Sequence, residues 1–243
     1  MNDNLDLYLV VTNPVAGYVA CAEAAVAAGL RYVQLRMKNV ARERVVQVGR
    51  EMLAVTRGTS TKLIVNDDVT IAREIDADGV HLGQADMSLT EARKLWPGSA
   101  SKVFGLSTHD ETQAIAALNE SPDYMGVGPV FSTPTKRVAD PVLGVARAAA
   151  IIQQSNVPAV AIGGIDRSKL PELFSSGIRR IAVVRYVCER PRPLEAIREL
   201  MAVAEEACVG CAGTAAQSSG VASGGRWIIP AYPDGSPPIA ARR

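Results

Sequence analysis

Three cations stand where strands give way to loops. Arg36 and Lys38 follow the run Tyr32-Val33-Gln34-Leu35, and Lys136 ends the segment Gly128-Pro129-Val130-Phe131-Ser132-Thr133-Pro134-Thr135. Arriving from separate loops, they could surround a multiply charged anion through charge-assisted hydrogen bonds. Asp67 and Asp86 follow two other apolar runs and offer a pair of hard oxygen ligands. That suits Mg²⁺, which takes one or two carboxylates and completes its shell with water and substrate phosphate. Gly163-Gly164, with a helix starting near Asp166, supplies bare backbone donors at a helix N-terminus, a second place for a phosphate. The joint chemistry is that of a magnesium pyrophosphate.

Each residue also has a plainer reading. Asp67 or Asp68 could cap the helix expected over residues 69–75, and Arg36 and Lys38 could be solvated loop charges. Thr108, three residues before Glu111, matches a capping box, as Ser88 does with Glu91. His81 lies within an apolar strand and reads as a core histidine ahead of an acid–base group. Cys208 and Cys211 have metal-pair spacing but lack two further ligands nearby, so they read as incidental thiols.

The elements that must position these groups repeat regularly. Apolar, β-branched runs at 7–11, 31–35, 62–65, 79–82, 102–106, 123–128, 158–162 and 180–184 alternate with helical stretches. Gly29 and Trp96-Pro97-Gly98 mark helix ends, and Leu194, Ile197, Met201 and Ala204 form one apolar stripe on the last helix. Eight units over residues 7–207, about 25 residues each, predict an α/β fold, the TIM (β/α)8 barrel, with an open doubly wound sheet as the alternative. In a barrel, loops after the strands converge at one mouth, and nearly every candidate residue falls at that end, including Ser107 and Arg185 after the fifth and eighth strands. We expect residues 1–207 to be the catalytic domain. Residues 208–243, rich in Gly, Pro and Ser, read as a flexible tail whose one apolar island is Trp227-Ile228-Ile229.

Composition narrows the class. With 26 Lys and Arg against 25 Asp and Glu, the net charge of +1 gives no sustained positive field for nucleic acid. The chain is 48% hydrophobic and only 5% aromatic, so its core must come from Val, Ile, Leu and Ala. No apolar run is long enough to span a bilayer, and the first residues lack the pattern of a signal peptide. The expectation is a cytoplasmic protein acting on small molecules, with neither nucleic acid nor membrane as partner. A homo-oligomer is compatible with the sequence.

At these residues the chain resembles the thiamine phosphate synthases. The likeness covers residues 7 to about 205 and rests on motifs in order: Gln34-Leu35-Arg36-Met37-Lys38, Leu63-Ile64-Val65-Asn66-Asp67-Asp68, Asp78-Gly79-Val80-His81-Leu82-Gly83-Gln84-Ala85-Asp86, Gly105-Leu106-Ser107, the 128–136 loop and Ala161-Ile162-Gly163-Gly164-Ile165. The resemblance implies a TIM barrel that joins 4-amino-5-hydroxymethyl-2-methylpyrimidine diphosphate to 4-methyl-5-(2-hydroxyethyl)thiazole phosphate. Pyrophosphate then leaves before the new bond is complete. The resemblance also implies that Asp67 and Asp86 hold Mg²⁺; that Arg36, Lys38, Asn66 and Lys136 bind the diphosphate; and that Gln34 and Ser107 contact the pyrimidine. Thr133, Thr135, Gly164, Val184 and Arg185 would frame the thiazole phosphate. Arg185 stands where the family often has serine. The rival readings are a thiazole tautomerase of the sister family, which has little use for metal ligands, and a non-catalytic phosphate-binding barrel.

Overall fold

A computed structural model describes residues 5–135 and 140–212, with side chains to residue 206. Its eight strands are β1 (Asp6–Val11), β2 (Tyr32–Leu35), β3 (Lys62–Asn66), β4 (Gly79–Leu82), β5 (Val103–Thr108), β6 (Tyr124–Val127), β7 (Ala159–Ile162) and β8 (Arg180–Val183). All pair in parallel, in chain order, and β8 returns onto β1, so the sheet closes and the open-sheet alternative is excluded.

Alternation along each strand divides the apolar residues into two cores, because successive side chains point to opposite faces of a strand. Leu7, Leu9 and Val11, with Val33, Leu35, Leu63, Val65, Phe104 and Leu106, join the core under the helices. Tyr8, Val10, Ile64, Val103, Tyr124, Val160 and Ala182 form the second core, in the lumen. Lower in the lumen the rings of Tyr8, Tyr32 and Tyr124 pack together with centroids 5.5 to 5.8 Å apart. Gly105 pairs in register with Tyr124, and its missing side chain leaves the space that this ring occupies.

Helix ends show where local chemistry was legible. Ser88 and Glu91 form the expected capping box ahead of the helix Leu89–Leu95. Asp68 accepts from the backbone N–H of Thr70 at 2.8 Å and of Ile71 at 3.0 Å, so it caps Val69–Glu74 and Asp67 does not. Thr108 corrects the sequence reading. β5 runs two residues further than expected, Thr108 pairs with Val127 in the ladder, and its buried hydroxyl donates to the Gly126 carbonyl at 3.0 Å. Asp110 caps the helix Glu111–Leu118 instead.

The last helix, Pro193–Ala212, passes the expected boundary at residue 207, because its helical backbone continues through five positions assigned to the tail. Ile197 and Ala204 are buried, and Leu194 and Met201 pack beside them. Residues 213–243, including Trp227, and the side chains of Cys208 and Cys211 lie outside the described residues. Cys21 and Cys188 are free, buried thiols. Among the described residues no helix is long and apolar enough to cross a membrane.

A Cβ at residue 105 would come within 2.2 Å of Tyr124 Cζ, and that ring is packed against those of Tyr8, Tyr32 and His81. Gly105→Ala should therefore lower stability by about 1–3 kcal/mol, as overpacking does. An unchanged urea midpoint would mean that the ring has room to swing away.

Candidate active site

The lumen opens at the C-terminal ends of the strands into a cavity of about 670 Å³, within the range of small-molecule sites. Its walls are the alternate, inward-facing positions continued upward: Gln34 and Arg36 from β2, Asn66 from β3, His81 from β4, Ser107 from β5, and Ala182 and Val184 from β8. Period two thus brings Gln34, Arg36, Asn66, Ser107 and Val184, of the sequence-predicted residues, onto one wall.

The floor is neutral and hydrogen-bonded. Gln34 is buried and donates through Nε2 to the Tyr8 hydroxyl at 2.8 Å. The Tyr8 and Tyr124 hydroxyls are 2.9 Å apart. His81 reaches the Tyr124 hydroxyl through Nδ1 at 2.9 Å and Ser107 Oγ through Nε2 at 2.8 Å. The expectation of a satisfied histidine is met, but His81 also faces the cavity. Burial pushes both tyrosine hydroxyls well above their usual range, so they stay neutral phenols at any ordinary pH. Gln84 donates from Nε2 to the Ser107 carbonyl at 2.6 Å and ties the end of β4 to the end of β5.

Charge is confined to the mouth. Arg36 lines the cavity, with Nη1 3.4 Å from Thr12 Oγ1. Lys38, Asp67 and Asp86 lie just past Arg36 and Asn66, outside the cavity lining. Lys38 donates to Asp67. The backbone of Asp67 is left-handed, φ 64°, while its N–H still bonds the His81 carbonyl at 2.8 Å. Aspartate tolerates that conformation. The turn separates the two acids: Asp68 goes to the helix and Asp67 to the rim. Asp86 accepts from the Gly83 N–H at 2.7 Å. Its carboxyl is raised above the usual range by burial, the largest cause, and by the neighbouring Asp67 charge, against the Gly83 hydrogen bond.

Two carboxylates drawn together in this way, with one discouraged from ionising, suit a divalent cation that would offset both charges. Among the described residues no cluster of three or more His, Cys, Asp or Glu side chains forms. Mg²⁺ does not require one when substrate phosphate and water complete its shell.

The opposite wall holds the second anion place. Gly163 and Gly164 have φ of 105° and 65°, and a Cβ on either would come within 2.6 Å of the loop after β6, at Pro129 and Ser132 respectively. They are glycines because of both the turn and this close approach. Thr133 and Thr135 line the same wall, with their hydroxyls 3.0 Å apart. Arg185 also lines the cavity, and its Nε donates to Glu189 Oε1 at 2.7 Å, so an acid already shares its charge. Lys136 lies outside the described residues. The structure adds residues that the sequence reading passed over: Tyr8, Tyr124, and His109 with Asp140, whose Nε2 and Oδ2 are 3.5 Å apart. Strand alternation was the signal that could have flagged the two tyrosines.

Comparison with known proteins points one way. A family model described as thiamine monophosphate synthase matches residues 7–187. A thiamine-phosphate synthase of Thermus thermophilus is 41% identical over 200 residues, covering 80% of this chain and 94% of its own. Another, from Chloroflexus aurantiacus, is 38% identical over 184 residues, covering 76% and 84%. The solved thiamine phosphate pyrophosphorylase from Pyrococcus furiosus superposes with a TM-score of 0.74 at 29% identity, over 83% of this chain and 96% of that one.

The division of labour between the neighbouring acids can be measured. Asp68→Ala should cost about 1 kcal/mol of stability through the lost cap. Asp67→Asn, which keeps a residue tolerant of the left-handed turn, should leave the unfolding free energy from urea titration within about 0.5 kcal/mol of wild type. Equal losses would show that both acids serve the helix.

Proposed function

The chain belongs to the thiamine monophosphate synthase family, and from that membership we propose that it joins 4-amino-5-hydroxymethyl-2-methylpyrimidine diphosphate to 4-methyl-5-(2-hydroxyethyl)thiazole phosphate, giving thiamine phosphate and pyrophosphate in the cytoplasm. The observation that carries the reading is the cavity's layout: a neutral floor suited to a heterocycle, with separate anion places on two sides of one mouth.

In this reading the pyrimidine ring rests on the floor between Gln34 and Ser107, and its diphosphate meets Arg36, Lys38 and Asn66, with Lys136 contributed by the loop after β6. Asp67 and Asp86 would hold Mg²⁺, whose chemistry here is to neutralise charge on the departing pyrophosphate. Lys38, already bonded to Asp67, keeps a cation beside that leaving group. The thiazole phosphate is bound at Gly163-Gly164 with Thr133, Thr135, Val184 and Arg185, which turns the ring nitrogen toward the pyrimidine. Pyrophosphate departs first, and the thiazole nitrogen captures the resulting pyrimidine cation. No proton is removed in forming that bond. The residues therefore serve positioning and charge stabilisation, and a strong base is unnecessary. A tautomerase, with no diphosphate to release, would leave Asp67 and Asp86 without a role.

The direct test is incubation of both substrates with Mg²⁺ and detection of thiamine phosphate by mass spectrometry; folded protein that makes none would overturn the reading. Asp67→Asn should reduce kcat by at least the roughly 10–100-fold that even indirect changes at metal sites cost, with partial recovery at high Mg²⁺. Mg²⁺ with pyrophosphate should raise the melting temperature of wild type much more than that of Asp67→Asn. Arg185→Ser should raise the KM for thiazole phosphate roughly three- to tenfold and leave the KM for pyrimidine diphosphate nearly unchanged. Equal shifts for the two substrates would remove Arg185 from the thiazole side.

A further inference from the structure

We propose that Tyr8, Tyr124 and His81 are positioning residues: with Gln34 they form one directed chain of hydrogen bonds that makes the Ser107 hydroxyl a donor to an accepting ring nitrogen of the bound pyrimidine. The ligand in this inference rests on the synthase reading; the direction of the chain does not.

Direction follows from counting protons. The Gln34 amide nitrogen has only protons to offer, so Tyr8 accepts from it at 2.8 Å. A phenol has one proton, and the other partner of Tyr8 is the Tyr124 hydroxyl at 2.9 Å, so Tyr8 gives its proton there. Tyr124, having accepted, gives its own proton to His81 Nδ1 at 2.9 Å. An imidazole whose Nδ1 accepts carries its proton on Nε2 when neutral, and that proton goes to Ser107 Oγ at 2.8 Å. Ser107 thus receives one hydrogen bond from the protein and turns its own proton toward the cavity it lines.

The reverse direction fails at one point. If His81 gave its Nδ1 proton to Tyr124, the Tyr8–Tyr124 contact could use only one of the two phenol protons: either Tyr8 gives to Tyr124 and the Tyr124 proton is left over, or Tyr124 gives to Tyr8, which already accepts from Gln34. One phenol proton would in either case be left buried without an acceptor, an arrangement that folded proteins avoid. Because burial keeps both phenols protonated, neither can become a tyrosinate that accepts from both sides.

The chain has two histidines, so its ring nitrogens can be assigned by ¹⁵N NMR with a His81→Asn variant as reference. The expected result is the Nε2–H tautomer of His81 in wild type and a mixture in Tyr124→Phe, which keeps the ring and removes the relay hydroxyl. An Nδ1–H tautomer in wild type would overturn the proposal. That measurement needs no turnover, so it decides the direction even if the synthase assay is negative. In kinetics, Tyr124→Phe should raise the KM for pyrimidine diphosphate or lower its kcat about three- to tenfold, with the thiazole phosphate KM unchanged. In a Ser107→Ala background the same substitution should cost nothing further, because the chain no longer has an output. A full, additive loss in that background would show that Tyr124 acts on the fold rather than through Ser107.

Discussion

Closing eight parallel strands creates a lumen that must be filled, and how this one is filled governs the rest of the molecule. Aliphatic residues from alternate positions occupy part of it, and three tyrosines plug the lower end. A tyrosine can be buried there only if its hydroxyl finds a partner. Those of Tyr8 and Tyr124 find each other, Gln34 and His81, so satisfying the plug produces an ordered polar surface. The floor of the active site is the upper side of the barrel's own packing.

The same constraint explains why charge stays at the mouth. Ionic groups buried in the lumen would lose hydration without enough partners, whereas residues one step beyond the strand ends keep access to water. Arg36 and Asp67 stand one residue past the ends of β2 and β3, and Lys38 and Asp86 lie three and four residues past β2 and β4. Substrates with an uncharged ring and a charged tail match such a gradient, ring downward and phosphate outward. In the proposed reaction, binding energy on the floor would orient the ring while the charges at the rim act on the bond that breaks.

Much of this was legible in the sequence because it follows from local rules. Alternation and turn signals located all eight strands, and Ser88 with Glu91 marked a helix start. Residues just past the strand ends identified Arg36, Asn66, Asp67 and Asp86 as neighbours. Thr108 was misread because a hydroxyl three residues before Glu111 satisfies the capping pattern whether or not the strand has ended; only the β6 ladder shows that it has not. The part of the site that went unread is the part built from distant pairs. The Tyr8 and Tyr124 hydroxyls meet across 116 residues of sequence, and no local pattern distinguishes a lumen tyrosine that completes a polar chain from one that only fills space.

Closure has a further consequence for how the protein is made. β1 and β8 are neighbours, and their ends are joined by Arg180 and Asp6, 174 residues apart. At the roughly 5–20 residues per second of translation, the first strand leaves the ribosome roughly 9–35 s before its partner exists. Until then β1 lacks the neighbour that covers its second edge in the closed barrel. That edge offers free N–H and C=O groups to any extended segment nearby. The interval during which a newly made chain is open to mispairing is therefore set by the position of β8 in the gene.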